Sequence, residues 1–274
     1  NVTVFEKDDK IGGLLRFGIP AFKLDKALLD RRIAIWEQEG IEFKINSPVN
    51  KRLEKFDAMV LAGGSRVPRD LKVPGRELKG IYFALEYLTQ SINVKGKKVV
   101  VIGGGDTGAD CVHSAQRQGA KSITQLEIMP KPPLTRPWPW FMRLYQEEKI
   151  DRRLFSVATK GFKASRHRGI EGLQCIKVDE KLKEIPGTDF SLDADVVILA
   201  LGFLHPEHDG LLDNLRVEYD GRGNVKTDGN YMTSIPGVFA AGDMRRGQSL
   251  IVWALFEGRD AAEKIHSSLA SKPL

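Results

Sequence analysis

The stretch that most constrains this chain is KKVVVIGGGDTGADC at residues 97–111. Val99, Val100, Val101 and Ile102 form a short β-branched run of the kind buried on both faces of a parallel sheet. Gly103, Gly105 and Gly108 then spell G-x-G-x-x-G where the strand must give way to a helix over residues 109–118. The first glycine permits a tight turn, the second lets backbone approach a pyrophosphate, and the third lets helix pack closely on strand. The helix N-terminus contributes free N–H groups and a partial positive charge. Glu127 ends the run Ile123-Thr124-Gln125-Leu126 about 20 residues further on, where such a unit puts the carboxylate that holds an adenosine ribose.

The same plan recurs in part. Val2-Thr3-Val4-Phe5 is another β-rich run ending in an acid, Glu6, and DAMVLAGG at 57–64 parallels DVVILALG at 195–202. The first copy lacks its glycine loop, which is expected about 20 residues before Glu6, upstream of this sequence. The fold class expected is therefore α/β, with two Rossmann-like dinucleotide-binding domains.

The C-terminal stretch IPGVFAAGDMRRGQSLIVWALFEGRDAAEKI is the second informative one. Val238 to Ala241 reads as a buried strand, and Gly242 lets backbone pass near a ligand. Asp243 stands at the strand's carboxyl end, suited to accept hydrogen bonds from a polyol such as ribityl. Gly247-Gln248-Ser249 is expected to start a helix running to about Ser267, with its dipole suited to a reduced flavin ring. Elsewhere, residues 25–40 read as a packing helix, 155–158, 173–178 and 191–192 as an antiparallel excursion, and 217–227 as a hairpin. The segment MPKPPLTRPWPW is too proline-dense for helix or central strand. Its Trp138 and Trp140 suit ligand stacking and plain surface packing equally.

Composition narrows the function. A net charge of +6 with arginines scattered rather than blocked does not read as a nucleic-acid surface. No run is long enough to span a bilayer, the longest lying around residues 196–204. Cys111 and Cys175 are far apart, with no C-x-x-C, so a disulfide scaffold, a redox dithiol and an iron–sulfur cluster held by this chain alone are all disfavoured, and a reducing, cytoplasmic setting fits. His205-Pro206-Glu207-His208 is a poor metal ligand set, because proline interrupts it. No metal site is expected, and Cys111, His113 and Cys175 read as packing rather than catalytic residues.

At these residues the chain resembles the two-dinucleotide flavoproteins, in which a nicotinamide-binding domain is inserted into an FAD-binding domain. VTVFEKDDKIGGLLRFGIPAFKLDK, VIGGGDTGADC, LEIMPKPPLTR and GVFAAGDMRRGQSLIVWALFEGR resemble the small (beta) subunits of glutamate synthases and the matching region of single-chain forms. The resemblance implies a discontinuous FAD domain at 1–91 and 204–274, N-terminally incomplete, around an NAD(P)-binding domain at 92–203. It implies that Glu6, Gly12, Gly13, Leu14, Gly18, Ala62, Gly63, Gly242, Asp243, Gln248 and Ser249 surround FAD. Gly103, Gly105, Asp106, Thr107, Gly108, Glu127 and Arg136 would hold NAD(P)H. The family's cysteine-rich iron–sulfur region is absent here, and the passages at 90–92 and 136–155 are shorter than the family's. The implied function is NAD(P)H oxidation through FAD, with electrons leaving by iron–sulfur clusters in absent N-terminal sequence or a partner. A large (alpha) subunit would then make glutamate from glutamine and 2-oxoglutarate. A related ferredoxin-linked reductase module, or a regulatory nucleotide-binding protein without turnover, shares these motifs. Between nicotinamides the residues conflict: Glu127 favours an unmodified ribose and hence NADH, whereas Lys131 and Arg136 suit a 2′-phosphate.

Overall fold

The structure, a computed structural model, describes residues 1–90, 92–132, 152–166 and 169–270. Arg136, Trp138 and Trp140 lie outside these. The chain forms two compact units: one from residues 1–11, 40–69 and 202–274, the other from 12–39 and 70–201.

The second unit is built on a five-stranded parallel sheet. Its strands are β4 (Ile81–Phe83), β5 (Lys98–Ile102), β6 (Ser122–Glu127), β7 (Arg152–Phe155) and β11 (Val196–Leu199), in the order β4-β11-β5-β6-β7. The apolar run of β5 is continuous because both its faces are covered. Val99 and Val101 pack with Tyr87 of α3 (Ala84–Thr89) and with Cys111, Val112 and Ala115 of α4 (Asp106–Arg117). Val100 and Ile102 point the other way, into a cluster with Val157, Phe162 and Leu173. Those three come from the antiparallel sheet of β8 (Val157–Ala164), β9 (Ile170–Lys177) and β10 (Phe190–Asp193), the expected excursion. Pairing of β7 parallel to β6 is not apparent from its sequence, which starts with two arginines.

Two helices complete this unit, α1 (Gly13–Phe17) and α2 (Lys26–Gln38). Asp25 caps α2, its side chain accepting from the amide of Ala27. The expectation of a packing helix is corrected here: no residue of α2 is buried, and Leu28, Ile35 and Trp36 remain 37–49% exposed. Leu29 and Ile33 are only half-buried.

The first unit holds two small parallel pairs, β1 (Thr3–Phe5) with β2 (Glu42–Lys44) and β3 (Met59–Leu61) with β12 (Val238–Ala240). Val238 and Ala240 pack with Leu61, Met244 and the leucines of α5 (Leu211–Leu215), while Phe239 faces Ala261 of α7 (Ile251–Ala270). The expected helix from 247 to 267 is in fact two. A single turn, α6 (Asp243–Arg246), ends at Gly247, whose φ of 79° breaks the helical path, and α7 begins only at Ile251. The expected hairpin at 217–227 reduces to one bridge, Tyr219 to Val225. No helix of the described residues is long and apolar enough to cross a membrane.

Candidate functional site

In the second unit the three glycines do separate work. A Cβ on Gly103, whose φ is 122°, would run into the carbonyl of Ala200 on the strand end beside it, and one on Gly108 would run into the carbonyl of Gly103. Gly105, by contrast, has open space in front of it. The loop is thus closed on its protein side and open on the side a ligand would take. Gly105 caps α4 with no side-chain hydrogen bond to the helix's first amides. Exposed Asp106 and half-buried Thr107 open this helix, whose first turn is suited to an anion.

Two side chains on β6 brace this loop. Glu127 accepts from the amide of Gly104 at 2.7 Å with one carboxylate oxygen and from the amide of Met129 at 2.8 Å with the other. Gln125, 1% exposed, donates to the carbonyl of Gly103 at 2.9 Å and accepts from Arg153 Nε at 2.8 Å. Glu127 was legible as a strand-end acid; Gln125 was not, since its partners are the loop 22 residues earlier and a strand 28 residues later.

In the first unit the predicted residues lie just beyond the carboxyl ends of β1, β3 and β12. Glu6 accepts from the amide of Asp8 at 3.0 Å. Ala62 and Gly63 leave β3 exposed, and a Cβ on Gly63 would lie 2.9 Å from the methyl of Met244. Gly242, at φ 67°, turns the chain into α6. The Asp243 carboxylate accepts from the Ser249 hydroxyl at 2.8 Å. Burial raises the Asp243 carboxyl above the usual range, and the hydrogen bonds from Ser249 oppose that. Gln248 reaches back to the amide of Phe203 at 2.9 Å. Gly12, Gly13, Leu14 and Gly18 belong to the other unit, in and around α1.

Two further residues at this end of the first unit escaped sequence reasoning. Ser65 Oγ and Arg66 Nε are buried without a hydrogen-bond partner among the described residues, just beyond Gly63-Gly64. The Arg66 guanidinium lies 3.6 Å from the Asp8 carboxylate. Buried donors are ordinarily satisfied, so a pair left open just beyond the Gly63-Gly64 turn is suited to a bound polar group. No cluster of metal-ligating residues occurs among the described residues. His205 and His208 stack at 4.2 Å, and their nitrogens face the carbonyls of Pro206 and Gly223. Cys111 and Cys175 are both buried, and burial pushes the Cys175 thiol up to about 11.

Comparison with known proteins agrees with this geometry. Residues 23–258 match the pyridine nucleotide-disulphide oxidoreductase family. The chain is 46% identical, over an alignment of 297 residues, to the glutamate synthase [NADPH] small chain of Mycobacterium tuberculosis, covering 96% of this chain and 61% of that protein. It is 40% identical to the glutamate synthase [NADH] of Schizosaccharomyces pombe, covering 99% of this chain and 15% of that protein. The chain thus spans about three fifths of the length of the bacterial relative. Among solved structures, T. acidophilum thioredoxin reductase superposes with a TM-score of 0.74 at 22% identity, over 98% of this chain and 91% of that one, which establishes the shared fold. The chain belongs to the pyridine nucleotide-disulphide oxidoreductase family, and within it to the group of glutamate synthase small chains and their single-chain counterparts.

Proposed function

We propose that this chain is the FAD-dependent, NAD(P)H-oxidising electron-input part of a glutamate synthase, acting in the cytoplasm with a large subunit that makes glutamate. The observation that carries the reading is a pair of glycine turns following strands, suited to nucleotides of different kinds. One is the Gly103–Gly108 loop, open at Gly105 and leading into an uncapped helix. The other is the Gly242–Asp243 turn, in the same unit as the unpaired donors of Ser65 and Arg66. In this reading residues 92–203 bind the nicotinamide nucleotide, and 1–91 with 204–274 bind FAD.

When bound, the two cofactors supply hydride transfer from nicotinamide to flavin and release of electrons one at a time. The chain's own residues position them. Gln125 and Glu127 hold the glycine loop in shape, the α4 amides take the pyrophosphate, and Asp243 accepts from the ribityl hydroxyls. Two isolated, buried cysteines cannot ligate an iron–sulfur cluster, so the electron exit lies in other sequence or in a partner.

The strand-end carboxylate of Glu127 favours NADH over NADPH in this reading, since its charge opposes a 2′-phosphate. The isolated flavoprotein should therefore reduce an artificial dye without the large subunit and form no glutamate alone. In Glu127→Ala, kcat/KM for dye reduction should fall with both nucleotides, because the Gly104 brace is lost, and fall more for NADH. Glutamate formed by this protein alone would refute the division of labour, and an unchanged NADH/NADPH ratio in the variant would refute the role of Glu127.

A further inference from the structure

Glu257 lies on α7 and is 1% exposed, the more deeply buried of the two buried carboxylates among the described residues. One carboxylate oxygen accepts from the amide of Gly242 at 2.8 Å. The other accepts from Arg245 Nη1 and Arg246 Nε, each at 2.8 Å. The arginines are held from behind as well. Arg245 also donates to the Thr227 hydroxyl at 2.9 Å and lies 4.8 Å from the Tyr231 ring centroid, and the Tyr231 hydroxyl donates to Asp260 at 2.7 Å. Arg246 lies 4.7 Å from the centroid of Trp253. One buried carboxylate therefore ties the helix to the amide that begins the Gly242–Asp243 turn, and to both cations that end it.

We propose that Glu257 is the positioning residue of the flavin seat: it fixes the Gly242 amide, and with it the backbone of Asp243, and draws the charges of Arg245 and Arg246 back from the cofactor. The proposal rests on the reading that the Gly242–Asp243 turn receives FAD. Its chemistry is specific to a carboxylate. A glutamine has a single acceptor atom, so whichever way its amide turns, its NH2 group faces either the Gly242 N–H or the guanidinium groups. A buried donor is then left unpaired, and one positive charge is left uncompensated.

The test is FAD binding to the full-length apoprotein, with the midpoint potential of the bound flavin, in wild type, Glu257→Gln, and Glu257→Gln combined with Arg246→Gln. Glu257→Gln is expected to bind FAD about ten- to a hundredfold more weakly. The rise in Tm on adding FAD should shrink accordingly. The potential of the flavin that still binds should move positive, and the added Arg246→Gln change should return it towards wild type by restoring the charge balance. Should Glu257→Gln fail to fold, Glu257→Asp carries the same binding test, since it keeps the charge but withdraws the acceptor from Gly242. A variant whose apoprotein Tm falls while FAD affinity and flavin potential stay at wild-type values would show that Glu257 only packs the unit, and would overturn the proposal. Wild-type apoprotein that takes up no FAD would instead overturn the flavin reading beneath it.

Discussion

Gly108→Val is expected to leave the protein yellow but unable to be reduced by nicotinamide nucleotides. A Cβ at this position already meets the Gly103 carbonyl, which is backbone and cannot rotate aside. The added side chain must push α4 away from the glycine loop, so the amides at the helix start and the loop no longer converge on one pyrophosphate. Displacement of that order costs roughly 100-fold in kcat/KM for NAD(P)H, and the larger branched side chain makes this a lower bound. Flavin content should be unchanged, because the residues argued to hold FAD do not include this loop. Dithionite should still reduce the flavin fully. A variant with wild-type kcat/KM for nucleotide would mean that the pyrophosphate is held elsewhere.

Asp243→Ala is expected to have the opposite signature. The carboxylate is half-buried just beyond the end of β12, takes hydrogen bonds from the hydroxyl and the backbone amide of Ser249, and keeps acceptor capacity that the hydroxyls of the proposed flavin would use. Alanine removes those acceptors and leaves the Ser249 hydroxyl without its partner, so FAD affinity should fall by about ten- to a hundredfold and the purified protein should carry less than one flavin per chain. Added FAD should restore dye reduction at saturating concentration, since the nicotinamide loop is intact. Stoichiometric FAD with unchanged affinity would show that this carboxylate does not contact the cofactor.

What was legible in the sequence, and what was not, follows from how far apart the interacting groups lie. The β5 strand, the glycine loop and α4 are contiguous, and their local pattern determines their geometry: buried Val99 to Ile102 on both faces, then a turn that admits no Cβ at Gly103 or Gly108. The strand-end positions of Glu6, Glu127 and Asp243 were legible for the same reason. Gln125 and Glu257 were not, because each looks like an ordinary polar residue until the carbonyl of Gly103 or the amide of Gly242 is brought beside it. The split between α6 and α7 is not legible, because Gly247 before an apolar run suggests a helix start, whereas its positive φ ends the preceding turn. Ser65 and Arg66 carry no pattern at all, and only their burial without partners singles them out. The exposure of α2 is not legible either, because apolar residues at helical spacing suggest burial, whereas Leu28, Ile35 and Trp36 stay at the surface.

The central claim is that one protein seats a nicotinamide nucleotide and a flavin so that the first reduces the second. The most direct test is anaerobic addition of NADH, and separately of NADPH, to the full-length flavoprotein while its visible absorbance is followed. The account predicts rapid loss of the flavin colour with at least one of the two, in step with the nucleotide added and without any large subunit present. Flavin that stays oxidised with both nucleotides, yet bleaches with dithionite, would contradict it.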